Sequence, residues 1–160
     1  MKVFRVLSCS AENTRELGAE VGKRLSGGEV LLLQGPLGAG KTTFAQGIAA
    51  GLGIPGPVQS PSFVLERIHR GRLTLRHLDF YRLTAPEVAE AGLLEDLSDT
   101  DVAVVEWADR AGNIPSATLR IRLSFVTHAE EAREILLECI DAGWERKVDD
   151  AIRESGLQRS

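Results

Sequence analysis

The chain has 160 residues, of which 43% are hydrophobic, and this size favours one domain around a single core. Its formal net charge of -4 argues against a protein that wraps nucleic acid by itself, because phosphate-backbone binding normally needs clustered positive charge. Its apolar runs span only a few residues, and its first residues alternate like a strand, so no membrane span or signal segment is indicated. We expect a soluble, cytoplasmic protein.

The first third of the chain predicts two pairs of a strand followed by a helix. "VFRVL" alternates like a strand, and "SAENTRELGAEVGKRL" predicts a helix with Leu17, Val21 and Leu25 on one face. "EVLLLQ" is a continuous apolar run, which is typical of a buried strand, and "KTTFAQGIAAGLG" predicts a helix that ends at Gly53. A glycine-rich turn therefore lies between a buried strand and the start of a helix.

The next segments predict a hairpin and further strands. Alternating residues over 63–78 predict two strands with a tight turn at Gly71. "APEVAEAGLLEDL" predicts a helix and "DVAVVEW" a second buried strand. "TLRIRLSFV" and "REILLECI" predict two alternating strands, which we expect to pair antiparallel.

Together these elements predict an α/β fold. It would be a single P-loop NTPase-like domain with helices flanking a mixed central sheet, parallel in its core with antiparallel additions. The domain would comprise residues 1–140, and residues 141–160 would be a helical extension of it. Trp144, Val148 and Ile152 share one helical face in this tail, which either docks on the body or covers a partner surface.

"GPLGAGKTT" fits the pattern of a phosphate-binding loop: glycine, four free positions, glycine, lysine, then serine or threonine. Side chains at Gly38 and Gly40 would obstruct the approach of backbone N–H groups to an anion, and the helix that follows adds its positive dipole end. Lys41 would reach the β- and γ-phosphates, the Thr42 hydroxyl would ligate Mg²⁺, and the Thr43 N–H would face the α-phosphate. The nucleotide-binding residues predicted in this loop are Gly35, Leu37, Gly38, Ala39, Gly40, Lys41, Thr42 and Thr43.

Two acids end predicted strands, where a nucleotide triphosphatase needs a carboxylate near its metal. Glu106 follows four apolar residues and would ligate the metal; the alternative is a strand-terminal acid that faces solvent. Asp79 closes "RLTLRHLD" and would hold a metal-bound water or orient the attacking one, unless it only caps a turn. His77 and Trp107 are predicted chiefly as core residues, with roles beside the site as the alternatives.

Other residues have less specific explanations. The arginines of "ERIHRGRLTLRHLDFYR" are predicted mostly to form a solvated face or a partner surface, although Arg82 would also suit the charge of a γ-phosphate. Cys9 and Cys139 have no further thiol or histidine at metal-ligand spacing, so we predict two small buried hydrophobic residues.

Four sequence blocks together resemble one protein family. The phosphate loop is followed by "SPSF" at 60–63, "HLDFYRL" at 77–83 and "VEWADR" at 105–110, in an order and spacing similar to those of the TsaE family, formerly called YjeE. The resemblance covers about residues 10–137. It implies a small bacterial ATPase that works with the TsaB–TsaD heterodimer to form N6-threonylcarbamoyladenosine at position 37 of tRNAs reading codons that start with A. Such a protein would meet tRNA only through the complex.

The resemblance also implies cofactors and residue roles. ATP and Mg²⁺ would be the cofactors, with Thr42 and Glu106 as magnesium ligands and with Asp79, Glu106 and Lys41 as the catalytic set. Thr14 in the first helix would lie near the nucleotide base. A switch-like segment would comprise Ser60, Pro61, Ser62 and Phe63.

These features predict a Mg-dependent ATPase accessory factor whose nucleotide state reshapes the switch-like segment. A P-loop small-molecule kinase is the main alternative, but kinases need an acceptor pocket and commonly an arginine-bearing lid. A nucleotide-controlled binding module without useful hydrolysis is a third hypothesis, against which the two acids argue. Pro36 stands where the family commonly has aspartate and Ser62 where it has threonine; Ser62 keeps the hydroxyl, whereas Pro36 cannot make a contact that an aspartate makes.

Overall fold

A computed structural model of the chain describes residues 1–58, 65–84, 86–87, 92, 94–107 and 117–160. The strands are β1 (Lys2–Ser8), β2 (Val30–Gln34), β3 (Glu66–Arg70), β4 (Thr74–Asp79), β5 (Asp101–Glu106), β6 (Leu119–Val126), β7 (Ala129–Cys139) and β8 (Gln158–Arg159). The helices are α1 (Ala11–Lys23), α2 (Lys41–Gly51) and α3 (Glu145–Ser155), and a short 3-10 helix covers Ala142–Trp144. Every helix within these ranges is too short or too polar to span a membrane.

The strands of the described ranges form one mixed sheet in the order β3-β4-β5-β2-β6-β7-β1-β8. The four central strands, β4, β5, β2 and β6, run parallel. On the flanks, β3 pairs antiparallel with β4, β7 with β6 and β1 with β7. The α/β fold with a parallel sheet core and antiparallel additions is confirmed, as is the hairpin of β3 and β4.

Apolar residues pack on both faces of this sheet. The larger core lies under α1, α2 and α3, where Leu17, Phe44 and Val148 are fully buried. A smaller core on the opposite face gathers around Phe80 and Leu32. This two-sided burial explains the continuous apolar runs of the central strands.

Helices α1 and α2 touch through their backbones. A Cβ atom added to Gly18 would lie 2.4 Å from the carbonyl oxygen of Phe44, and one added to Gly47 would lie 2.2 Å from that of Arg15. Gly22 and Gly51 meet the facing helix equally closely, one turn further along. The sequence spacing GxxxG on both helices therefore permits a contact that no larger residue would allow.

The C-terminal tail docks on the body of the protein. Val148 and Ile152 on α3 are buried in the main core, together with Trp144 from the preceding 3-10 helix. After α3 the chain pairs antiparallel with β1, placing Gln158 opposite Leu7. The structure therefore favours docking over the alternative that this apolar face covers a partner.

Several side chains lie elsewhere than the sequence suggested. Arg72 is exposed, as expected of a solvated face, but it also caps the end of α1, donating to the carbonyl oxygens of Leu25 at 2.8 Å and Gly22 at 3.0 Å. Arg76 is buried, and its ion pairs with Glu66 at 2.7 Å and Asp96 at 2.8 Å support its burial.

The cysteines have different environments. Cys139 is buried, and burial raises the pKa of its thiol to about 11. The prediction that Cys9 is also buried is wrong: it is exposed, because the chain leaves β1 there to begin α1. The helix predicted from "APEVAEAGLLEDL" falls largely outside the described residues.

Candidate functional site

A tight glycine-containing loop connects β2 to α2. Gly38 and Gly40 have φ angles of 82° and 106°, a left-handed conformation that L side chains rarely adopt. At Gly35 an added Cβ would lie 2.5 Å from the carbonyl oxygen of Leu123 on β6. The carbonyl oxygen of Pro36 accepts a hydrogen bond from the Ala39 N–H at 3.0 Å. The proline that replaces the family's usual aspartate therefore closes the turn through its backbone. The loop is therefore a narrow backbone cradle that side chains would fill.

Lys41, the first residue of α2, has its side chain directed back over this loop. Its Nζ donates to the carbonyl oxygens of Gly35 and, at 3.3 Å, of Pro36. The same atom lies 4.0 Å from the centre of the Trp107 ring. The residue is only 6% exposed, so a nearly buried cation lies at the base of the loop. A cation in this position can bond an anion that binds at the loop.

Asp79 and Glu106 lie side by side where β4 and β5 end. The two residues are register partners, and Leu33 of β2 pairs with Glu106 on its other side. Both acids are buried, at 7% and 3% exposure. Since the carboxyl ends of parallel strands share one edge of the sheet, the acids adjoin the loop that follows β2.

Asp79 has a perturbed carboxyl group. Burial is the largest cause of its raised pKa, and the negative charge of Glu106 also raises it. The Tyr81 N–H, which donates to Asp79 Oδ1 at 2.8 Å, acts in the opposite direction, as do His77 and Lys41. The ionised carboxylate is therefore less favourable here than in the unfolded chain.

We predict that Asp79→Asn stabilises the protein at neutral pH. Because the folded-state pKa lies above the unfolded value, the ionised carboxylate destabilises the fold above the folded pKa. This penalty diminishes as the pH falls through the folded pKa and disappears below the unfolded pKa. Asparagine has no such penalty and can still accept the hydrogen bond from the Tyr81 N–H. Melting temperatures measured from neutral pH to about pH 3 would reveal this dependence.

Asp99→Asn is the matched control, because it makes the same change at an exposed residue. The excess stability of Asp79→Asn over this control should shrink as the pH is lowered. An excess that is absent at neutral pH, or that grows on acidification, would contradict the raised pKa.

His77 fixes the orientation of Glu106. Its Nε2 lies 2.7 Å from Glu106 Oε2, and the imidazole is fully buried. Its Nδ1 is buried without a hydrogen-bond partner among the residues that the structure describes. His77 was predicted chiefly as a satisfied core residue; it is in the core, but it bonds a candidate metal ligand. Such hydrogen bonds commonly orient carboxylates that ligate metals.

Trp107 leaves the core and lies at the site. Its φ angle of 58° breaks the alternation of β5, and the ring is partly exposed over Lys41. Its centre lies 4.9 Å from that of Tyr81, with 51° between the planes. The core placement expected from regular alternation is therefore wrong, and the alternative beside the phosphate loop is the observed one.

Two cavities flank the loop. The acid-side cavity has a volume of about 320 Å³, and its lining combines the loop, α2 and the strand ends: Leu37, Gly38, Gly40, Lys41, Thr42, Thr43, Asp79, Glu106 and Trp107. The helix-side cavity has about 370 Å³ and reaches the start of α1; its lining includes Thr14, Gly38, Ala39, Gly40, Thr43 and Arg133. Gly38, Gly40 and Thr43 line both cavities, so the loop separates two adjoining spaces.

Most of the predicted site residues meet around these cavities. Lys41, Thr42, Asp79 and Glu106 share the acid-side cavity. Thr14 lines the helix-side cavity, although its hydroxyl lies 2.7 Å from that of Ser8. The switch-like segment, Ser60, Pro61, Ser62 and Phe63, lies outside the described residues.

The donor set of the acid-side cavity fits Mg²⁺ with a phosphate ligand. Mg²⁺ takes oxygen ligands and is commonly held by one or two carboxylates plus substrate phosphates. Thr42 and Glu106 supply a hydroxyl and a carboxylate oxygen to the same cavity. Their roles as ligands, like those of the catalytic residues, remain predictions.

Arg133 is a site residue that the sequence analysis did not single out. It lies on β7, far along the chain from the loop, yet it contacts the carbonyl oxygens of Gly38 and Ala39. The alternation of β7 predicts the strand, but no local motif indicates which loop one of its side chains reaches.

Comparisons with known proteins give a consistent result. The family model described as "Threonylcarbamoyl adenosine biosynthesis protein TsaE" matches residues 8–135. The tRNA threonylcarbamoyladenosine biosynthesis protein TsaE of Treponema pallidum is 44% identical over 134 residues, covering 82% of this chain and 98% of that protein. The protein of the same name from Mycobacterium bovis is 42% identical over 132 residues, covering 74% and 77%. The crystal structure of Bacillus subtilis YdiB superposes with a TM-score of 0.73 at 27% identity, covering 96% of both chains.

Proposed function

This chain belongs to the TsaE family of tRNA threonylcarbamoyladenosine biosynthesis proteins, and on that premise we propose that it is a Mg-dependent ATPase that binds a TsaB–TsaD heterodimer. In this proposal it supports turnover in the formation of N6-threonylcarbamoyladenosine at position 37 of tRNAs that read codons starting with A. The observation that supports hydrolysis most directly is the shared cavity of Lys41, Thr42, Asp79 and Glu106. The resemblance seen in the four sequence blocks is confirmed at the level of the family.

The phosphate loop would bind the triphosphate through its backbone. The amides of Gly38 and of residues 40–43 would donate to phosphate oxygens, assisted by the positive end of α2, while the Ala39 N–H closes the turn on Pro36. Lys41 Nζ, which now donates to the carbonyl oxygens of Gly35 and Pro36, would also bond the β- and γ-phosphates. Trp107 packs against the ammonium group and limits where it can move.

The two acids would have different tasks. Glu106, oriented by His77, would be a metal ligand together with Thr42. When bound, Mg²⁺ would neutralise charge on the phosphates during transfer. Asp79, whose pKa is raised by burial, would accept a hydrogen bond from the attacking water and orient it, while the Tyr81 N–H fixes the carboxylate.

The rim of the acid-side cavity supports a partner that completes the site. Leu37 is 85% exposed and Tyr81 is 52% exposed, and both lie at this edge. Exposed apolar groups beside a catalytic site favour a partner surface, whose contact would also exclude water. We propose that TsaB–TsaD covers this rim. A protein with net charge -4 would then meet tRNA only through the complex, in the cytoplasm.

The decisive experiment is steady-state ATP hydrolysis, measured for this protein alone and with a TsaB–TsaD pair. We expect stimulation by the pair, and a loss of at least about tenfold in that rate for both Asp79→Ala and Glu106→Ala, because each removes a group that positions or neutralises the reacting atoms. Asp99→Ala, at an exposed position, is the control and should retain the stimulated rate.

The possible failures have different meanings. Equal hydrolysis by the wild type and by Glu106→Ala would refute the assignment of that acid. Unchanged turnover with the pair, together with no co-elution, would refute the accessory function. Transfer of the γ-phosphate to a small hydroxyl compound would instead support the kinase.

A further inference from the structure

The guanidinium of Arg133 binds the outer side of the phosphate loop. Its Nε donates to the carbonyl oxygen of Ala39 at 3.2 Å, and one terminal nitrogen donates to that of Gly38 at 3.3 Å. The other terminal nitrogen donates to the carbonyl oxygens of Glu130 and Ala132, each at 2.8 Å. These four acceptors are neutral backbone groups, so the bonds hold the guanidinium without cancelling its charge.

The peptide geometry shows what these bonds do to the loop. The described residues contain no cis peptide bond, so the C=O and N–H of each unit point in opposite directions. Because the Ala39 carbonyl faces Arg133, the Gly40 N–H points away from the guanidinium. The Gly38 carbonyl also faces the guanidinium. The N–H of the same peptide unit belongs to Ala39, and it donates to the carbonyl oxygen of Pro36. One side chain therefore fixes two consecutive peptide units.

Arg133 acts from a rigid support. It is paired with Phe125 on β6 and with Ser8 on β1, so its backbone lies within the sheet. Its guanidinium lies 4.7 Å from the centre of the Phe125 ring, which restricts it further. Groups held by the sheet position a site more accurately than groups held by a loop.

The charge of Arg133 is not balanced by an ion pair. Among the described residues, no carboxylate lies within 4.0 Å of its nitrogens. The side chain also lines the helix-side cavity, which shares Gly38, Gly40 and Thr43 with the acid-side cavity. Glu12, Glu130 and Glu131 line the same cavity, so the role of Arg133 rests on its hydrogen bonds to the loop and not on the net charge of the cavity.

We propose that Arg133 is a positioning residue for nucleotide binding. It holds the outer carbonyls of Gly38 and Ala39 so that the Gly40 amide is oriented in advance for a phosphate oxygen. This inference rests on the proposed nucleotide function and assigns to that function a residue outside the phosphate-loop motif.

The test compares Arg133→Met, Arg133→Lys and the wild type, with Arg153→Met as a control. Arg153 is an exposed residue on α3 that pairs with Asp149. By calorimetry with ATP and Mg²⁺, we expect Arg133→Met to weaken binding about tenfold or more, because it removes bonds from a charged group. Arg133→Lys should be intermediate, since it keeps the charge but lacks the planar fork that reaches both carbonyls. Arg153→Met should bind like the wild type.

Two further readouts separate positioning from a general loss of stability. Hydrogen exchange in the nucleotide-free protein should be faster over residues 35–43 in Arg133→Met, with other regions unchanged. In steady-state hydrolysis KM should rise while kcat stays within about twofold of the wild type, because a preformed loop binds ground and transition states alike. If Arg133→Met does not fold, Arg133→Lys provides the same comparison.

Four results would overturn the proposal. Unchanged ATP affinity in Arg133→Met would remove Arg133 from nucleotide binding and leave the proposed ATPase intact. Full recovery of affinity and exchange protection in Arg133→Lys would show that charge alone matters. A lower kcat at unchanged KM would assign the residue to the chemical step. Absence of ATP binding by the wild type would refute the proposed function along with the role of Arg133.

Discussion

Lys41→Met should lower kcat/KM for ATP hydrolysis by about a thousandfold, because it removes two or more bonds from a charged donor to the phosphates. The ammonium group is nearly buried at the base of the loop and lies against Trp107. Methionine keeps most of the apolar stem and fills the same space, so loss of the charge is the main change. The affinity for ATP should fall as well, and calorimetry beside steady-state kinetics would measure both effects.

Lys23→Met is the matched control. Lys23 makes an exposed ion pair with Glu20 on α1, so the same substitution there should change hydrolysis by less than about twofold. A value of kcat/KM for Lys41→Met within about threefold of the wild type would mean that the loop binds phosphate without its lysine. That outcome would contradict the proposed ATPase, even if the fold were intact.

Gly47→Ala should destabilise the protein by about 2 kcal/mol, because overpacking at a close contact forces the backbones apart. The new Cβ would lie 2.2 Å from the carbonyl oxygen of Arg15 and 2.9 Å from the Cα of Gly18. Neither atom belongs to a flexible side chain, so α1 and α2 would have to separate. In a protein of this size such a loss lowers the melting temperature by roughly 6 °C, which calorimetry or circular dichroism would detect.

The direction in which Gly47→Ala changes the stability distinguishes helix packing from helix propensity. In an isolated helix, glycine to alanine stabilises by about 1 kcal/mol, so propensity alone predicts a higher melting temperature for Gly47→Ala. The control is Ala50→Gly at an exposed position of the same helix, where propensity alone should destabilise by about 1 kcal/mol. A more stable Gly47→Ala would show that the two helices do not touch through their backbones.

The sequence predicted the phosphate loop and the neighbouring strand ends because both are local patterns. Glycines in left-handed conformations, followed by a lysine at a helix start, restrict the chain within a few residues. To place Asp79 beside Glu106, one further rule was needed: the carboxyl ends of parallel strands lie at a common edge of the sheet. Those inferences depend little on the rest of the molecule.

The remaining site residues depend on contacts that no local pattern encodes. Trp107 reaches Lys41 only because one left-handed residue ends β5, whereas alternation predicted the opposite face. The bond between His77 and Glu106 joins two strands through a register that the sequence does not reveal. Arg133 contacts a loop more than ninety residues away in sequence. In each case tertiary packing decides the role of the side chain.

The arginines away from the site also show that a local sequence pattern does not determine the partners of a side chain. The dense arginines of the β3–β4 region suggested a charged surface, and Arg70 and Arg72 are exposed; Arg72 nevertheless caps α1, and Arg76 is buried beside Glu66 and Asp96. Charge patterning identifies side chains that need partners, but it does not say whether the partner is water, another protein or the same chain.

The contact between α1 and α2 has a mechanical consequence. Side chains at a helix interface can change rotamer and let one helix slide along the other, but touching backbones have no such compliant layer. Because α2 begins at Lys41 and α1 begins near Thr14, the walls of both cavities belong to one stiff body. A force that displaces α2 at the phosphate loop would therefore displace α1 with it, so that the two helices move as one rigid body.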